Sequence, residues 1–192
     1  MLTSHKSSDY RGYVLVANYV DGVRVGPRLV GSNLRTVEGN EVLSRLVAGD
    51  IRYKIAGIYF EFENNAGTPD PVAFDKTTRA SDFHNLVAPR DYVRAGLVSA
   101  PSLSTGDSLG TGDALSDNRA SFFALATSSV GENGLDFTAA ANSKIISVGL
   151  VAMPFDDASN DLLYARYALP TAFPKVAGQN PGVTWTAEFL TP

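Results

Sequence analysis

The 192-residue sequence has no cysteine, two histidines, two methionines and one tryptophan. Without cysteine there is neither a disulfide framework nor a thiolate metal site, so stabilisation beyond the core must come from partners or ions. The two histidines, His5 and His84, fall in a polar arm and in a long loop. The one G-x-S-x-G pattern, G-D-S-L-G at 106–110, lies in a Gly-rich stretch with no following helix and so does not read as the strand-to-helix elbow that would supply a nucleophile for either to activate. Long apolar runs are missing too, and the first ten residues (M-L-T-S-H-K-S-S-D-Y) lack the apolar centre that a signal peptide or membrane span requires. Charge of one sign is nowhere concentrated. Sixteen basic against twenty acidic residues leave −4, mixed along the chain. That distribution lacks the electrostatic footprint of direct nucleic-acid binding. Helical periodicity is equally scarce, which excludes a parallel α/β fold.

What is present is a core's worth of apolar residues, 44% of the chain, patterned as strands. The best strand signal lies at residues 51–64, I-R-Y-K-I-A-G-I-Y-F-E-F-E-N, rich in β-branched and aromatic residues. Its apolar set shifts from Ile51, Tyr53 and Ile55 to Ile58, Phe60 and Phe62. A β-bulge at Gly57 would keep one face buried, so the stretch reads as one long, bent, central strand with Glu61 and Glu63 on its wet side. Residues 1–10 read as an arm and 11–192 as a single domain. Within it, Asp21-Gly22 predicts a hairpin ended by Gly26-Pro27. Val42, Leu43, Leu46 and Val47 predict one short helix over residues 37–47, stopped by Gly49-Asp50. Residues 64–89 form a long loop, with a single helical turn expected over 81–86. Residues 90–100 return to strand spacing, with Val93, Ala95 and Leu97 on one face. Residues 102–118, which carry the echo T-G-D-S-L/T-G-D-A-L, read as a second excursion.

The last third alternates strands and turns. Strands are expected over 120–127, 145–153, 162–169 and 183–189, the last with Val183, Trp185, Ala187 and Phe189 inward and Thr184, Thr186 and Glu188 outward. Seven or eight strands with one short helix and long loops argue an all-β fold, a β-sandwich or jelly roll.

Constellations that could carry chemistry are sparse. Ser81, Asp82 and His84 are close in sequence, but nothing predicts a base geometry for them. Glu61 and Glu63 sit two apart on one strand, whereas paired glycosidase carboxylates come from separate strands to bracket the scissile bond. Asp107, Asp113 and Asp117, and again Asp156, Asp157, Asn160 and Asp161, offer hard oxygen ligands suited to calcium. Neither set follows the EF-hand spacing, and Asp and Asn favour turns for local reasons. The stretch 105–112 lacks the lysine and following helix of a phosphate loop. No catalytic, cofactor-binding or metal-ligating residue is therefore assigned, and the chain is expected not to be an enzyme.

Several stretches carry a resemblance. Y-K-I-A-G-I-Y-F-E-F-E-N (53–64), I-I-S-V-G-L-V-A-M-P (145–154), D-L-L-Y-A-R-Y (161–167) and V-T-W-T-A-E-F (183–189) resemble small virion structural proteins of tailed bacteriophages. The shared pattern is an R-Y strand after an Asp-rich turn, a Lys-Val-x-Gly linker at 175–178 and a closing W-x-x-x-F strand, over about half the chain. The resemblance implies a virion protein present in many copies. Its form would be a capsid cement (decoration) protein, or a tail or head–tail junction component, forming a homo-oligomer against the major capsid protein or tail and connector subunits. Neither nucleic acid nor a membrane is an expected direct partner. From another class, a carbohydrate-binding sandwich would use exposed aromatics, for which Tyr10, Tyr13, Tyr19, Tyr59 and Tyr92 are the candidates.

Overall fold

The computed structural model describes residues 10–32, 34–62, 77, 79–82, 92–107, 114–126, 144–152, 160–174, 176 and 178–189. The chain opens with β1 (Tyr10–Val20) and β2 (Val23–Ser32), joined at Asp21 and Gly22, whose φ values of 47° and 77° match the mirror-image turn that suits strand twist. The hairpin does not end at Gly26-Pro27, as the sequence suggests. It absorbs them as a bulge: Ala17 pairs with Arg28 while Asn18 pairs with Val25, and Gly26 takes a φ of 70°. Pro27 is tolerated because β2 is an edge strand.

After β3 (Leu34–Arg35), the helix α1 occupies Val37–Val47, as its apolar spacing predicts. Thr36 caps it, its hydroxyl accepting from the Gly39 N–H at 3.0 Å and donating to the Leu163 carbonyl, which also ties the helix start to the sheet. Val42 reaches the main core, whereas Val47 is 90% exposed. Residues 51–64 are not one strand. Asp50 accepts from the Arg52 N–H and closes a 3-10 turn over Ile51–Tyr53, so β4 (Ile55–Phe62) begins only at Ile55, and residues 63 and 64 lie outside the described residues. The expected bulge is there: Ile55 pairs with Ala152 and Gly57 with Val151, leaving Ala56 over, so that Ile55 and Ile58 both face the core.

The remaining strands are β5 (Tyr92–Gly96), β6 (Ser102–Asp107), β7 (Ala114–Leu125), β8 (Lys144–Ala152), β9 (Leu162–Pro174) and β10 (Asn180–Phe189). Ten strands thus stand among the described residues, more than the sequence count. The difference comes from β3 and β6, while β7 begins earlier than the strand expected over 120–127. The supposed excursion at 102–118 contributes an antiparallel pair, with the two halves of its echo meeting at Gly106 opposite Leu115. Their Gly, Ser and Asp content hides an edge hairpin from any propensity reading. Strand β9 also runs past Pro170 to Pro174.

The strands form two five-stranded antiparallel sheets, β2-β1-β10-β7-β6 and β3-β9-β8-β4-β5, stacked as a sandwich. In the second sheet β8, not β4, is central. The chain changes sheets four times, from β2 into β3 and from β5 into β6 at the two sides, and again from β7 into β8 and from β9 into β10. On the second side Leu97 bridges Ala124 and the Val98 N–H donates to the Phe123 carbonyl at 2.9 Å. Between the sheets lie Val14, Val16, Ile58, Phe60, Phe62, Phe122, Leu150, Val183, Trp185 and Ala187, as the inward sets of β4 and β10 require. Glu188 faces outward, as expected of its register, yet is buried and paired with Arg119 at 3.3 Å.

Candidate functional site

The outer face of the second sheet is polar and buried. Register assembles it: one cross-strand row runs Arg166, Gly149, Tyr59, Arg94, and the next runs Ala168, Ser147, Glu61, Tyr92. Gly149 is needed in the first row because a Cβ there would come 2.6 Å from Leu163 Cδ1. Arg166 donates from Nη2 to Glu61 Oε2 at 2.7 Å and from Nε to Ser147 Oγ at 3.3 Å, while the Ser147 hydroxyl donates to the same Glu61 oxygen. All three are buried. One strand away, Arg94 grips Asp161 with two parallel bonds of 2.9 and 3.0 Å, and the Tyr59 hydroxyl donates to Asp161 Oδ2. Burial, then the Asp161 charge and its hydrogen bond, push the Tyr59 phenol well above its ordinary range, so it stays protonated as a donor. The Tyr92 ring tilts at 54° against Tyr59, centroids 4.8 Å apart.

A third carboxylate sits where α1 begins. Glu38 Oε2 accepts from the Leu163 N–H at 2.7 Å and the Ala80 N–H at 2.9 Å, tying helix, strand β9 and the 3-10 turn Ala80–Asp82 together. Burial raises its pKa, partly opposed by those two N–H donors and by Arg79.

This arrangement corrects the reading of Glu61 as the wet side of a strand. Its charge is held by Arg166 inside the protein, and Glu63, its supposed companion, lies outside the described residues. Asp161, one of the oxygen donors weighed for calcium, is engaged by Arg94 and Tyr59, and the described residues contain no cluster of three or more groups suited to a metal. Asp113, Asp156 and Asp157, like His5 and His84, lie outside the described residues. Of the helical turn expected over 81–86, residues 83–86 lie outside the described residues, and a 3-10 turn is present at Ala80–Asp82. Of the sugar-stacking candidates, Tyr19, Tyr59 and Tyr92 are buried and Tyr13 is 42% exposed. Arg94, Ser147 and Arg166 were missed from the sequence. A signal existed: Ser147 and Arg166 interrupt otherwise apolar strands, I-I-S-V-G-L and L-L-Y-A-R-Y, where a polar side chain needs a partner.

Chemically the ladder is closed upon itself. Each charged group is matched by an opposite charge or by backbone donors, which ties the strands, the helix start and the turn Ala80–Asp82 to one another rather than presenting reactive groups to solvent.

The second feature is open. Where the chain crosses from β5 to β6, a groove of about 700 Å³ lies between the end of α1 (Leu46), the entry to β4 (Lys54, Ile55) and the crossing itself (Leu97, Val98), with Phe122 also in its lining. Lys54 is the one ionisable residue among the described residues that line it. No helix among the described residues is long and apolar enough to cross a membrane. No protein-family model, curated protein or solved structure matches the chain.

Proposed function

We propose that this chain is a non-enzymatic structural subunit of a tailed-phage virion, acting as a capsid cement protein through contacts of its edges and loops with neighbouring subunits. The supporting observation is β2. None of the ten residues of this edge strand is buried, and Val23 and Val30 are 66% and 59% exposed. A long exposed edge invites another chain, and folded proteins blunt it with charge, proline or a bulge. Here Arg24, Pro27, Arg28 and the Gly26 bulge occupy the first two-thirds, while residues 29–32 carry no charge. A neighbour laid along that segment would cover Val30 and complete the sheet, the mode of strand addition common in assemblies. The polar ladder supports the same reading, since its charges are spent on holding a scaffold rigid. The resemblance of four stretches to virion proteins supplies the setting.

Quantitative mass spectrometry of purified particles of the phage that encodes the chain tests this. A copy number rising with the major capsid protein is expected. A number matching the connector or tail would move the protein to a junction. Absence from particles while the chain is abundant in the infected cell would refute the structural role.

A further inference from the structure

The register of β2 against β1 gathers two arginines at one point of the free sheet edge. Val14 and Val16 of β1 point between the sheets, so the alternate residues Tyr13, Leu15, Ala17 and Tyr19 lie on the outer face with their partners on β2. Those partners are Ser32, Val30, Arg28 and Arg24. Four positions apart in sequence, Arg24 and Arg28 would stand about 13 Å apart on an unbroken strand. The Gly26-Pro27 bulge takes up two of those positions, so the pair faces Tyr19 and Ala17, neighbours on one face at about 7 Å. Both arginines are exposed, and among the described residues neither makes a hydrogen bond or an ion pair. Residues 10–32 hold three arginines against one aspartate, Asp21 at the turn, in a chain of net charge −4. The edge is locally basic in an acidic protein.

Charge on an edge strand ordinarily keeps other strands away. Here it stands at one end only. Pro27 lacks an N–H and ends any ladder added to the edge, so a further strand would pair along residues 28–32, with Val30 in the middle and both guanidiniums at one end. A second copy of β2, paired antiparallel about Val30, would set Ser32 against Arg28 and bring no carboxylate. A strand with carboxylates at that end would meet both arginines, whose planar forks suit carboxylates in paired bonds. A polyanion such as a nucleic acid would use the arginines but neither the backbone groups of the edge nor Val30.

We propose that the β2 edge takes an extended acidic segment, added antiparallel along residues 28–32, with an apolar side chain over Val30 and carboxylates at its next two outward positions on Arg28 and Arg24. The inference rests on the reading of β2 as a docking edge and adds the chemistry of what docks there.

The full chain, isotope-labelled for amide NMR, is titrated with a capped threonine-rich peptide carrying valine and then two glutamates at alternate positions, and with its two-glutamine counterpart. Saturable binding is expected, with amide shifts centred on residues 28–32. The glutamate peptide should be held at least about fivefold tighter at low salt, an advantage that shrinks as salt is raised. A peptide with the order reversed, valine last, should bind less tightly because its carboxylates fall at the wrong end. Arg24→Gln combined with Arg28→Gln should bring the glutamate and glutamine peptides to equal affinity, and an unchanged urea midpoint checks that the variant folds. Equal binding of the two peptides along 28–32 in the parent would overturn the acidic preference and leave β2 a docking edge, whereas binding of neither would overturn both readings. A preference that survives the double variant, or shifts centred elsewhere, would also sink the proposal. So would displacement of the glutamate peptide by an oligothymidylate of equal charge as effective as displacement by unlabelled peptide, which would give the arginines to any polyanion.

Discussion

Replacing Arg166 with Met should be among the most damaging single changes on the outer face of the second sheet. The guanidinium side chain is 1% exposed and its Nη2 lies 2.7 Å from Glu61 Oε2. At that distance the attraction is roughly 6 kcal/mol at an effective dielectric of about 20, much of it offset by the cost of taking both ions out of water. Methionine keeps most of the volume, so the loss comes from leaving the buried Glu61 carboxylate without its guanidinium, about 3–5 kcal/mol. In urea, with a slope of about 2 kcal/mol/M, the midpoint should fall by about 1.5–2.5 M at unchanged slope. Glu61→Gln alone should lose a similar amount by leaving the guanidinium without that carboxylate. The double variant, with both charges gone and the introduced side-chain amide still able to accept from the Ser147 hydroxyl, should recover to within about 2 kcal/mol of the parent. Acidity supplies a second readout. In Arg166→Met the Glu61 carboxylate binds a proton more readily folded than unfolded, so the deficit should shrink as pH falls from about 7 to 4. Strictly additive single losses, or a deficit that grows at low pH, would refute the reasoning.

Gly39→Ala, normally a gain of about 1 kcal/mol in a helix, should destabilise here, because a Cβ would lie 2.1 Å from the Tyr164 carbonyl oxygen; thermal denaturation reads the reversed sign. Trp185→Ala should cost about 3–5 kcal/mol in the same measurement, the indole being wholly buried between the sheets. The Asp50 carboxyl, held by Arg52 to about 2 from an ordinary 3.8, should titrate closer to the ordinary value in Arg52→Ala when followed by NMR. Because burial raises the Glu38 pKa, its contribution is fully present below pH 4.5 and is lost as pH rises through the raised value; Glu38→Gln should therefore gain stability relative to the parent between about pH 4 and 7, read from urea midpoints.

Elements set by neighbours in sequence were legible without the fold. The helix Val37–Val47, the Asp21-Gly22 turn, the displaced residue beside Gly57 and the inward set Val183, Trp185 and Ala187 all follow from periodicities of 3.6 and 2 and from backbone preferences. The two-sheet architecture follows from counting such segments. Interactions between distant residues were not legible. Glu61 and Arg166 meet across 105 positions, and Asp161 and Arg94 across 67, because strand order and register bring their rows together. Alternation alone marks Glu61 as facing away from the core, and on a sheet with one solvated face that would make it wet. Tertiary structure decided otherwise, since a carboxylate can be buried when a cation is placed against it, and the placement depends on three strands pairing in one register. The groove is tertiary for the same reason: Leu46, Lys54, Val98 and Phe122 share no local pattern, and they surround one space only where the chain leaves one sheet for the other.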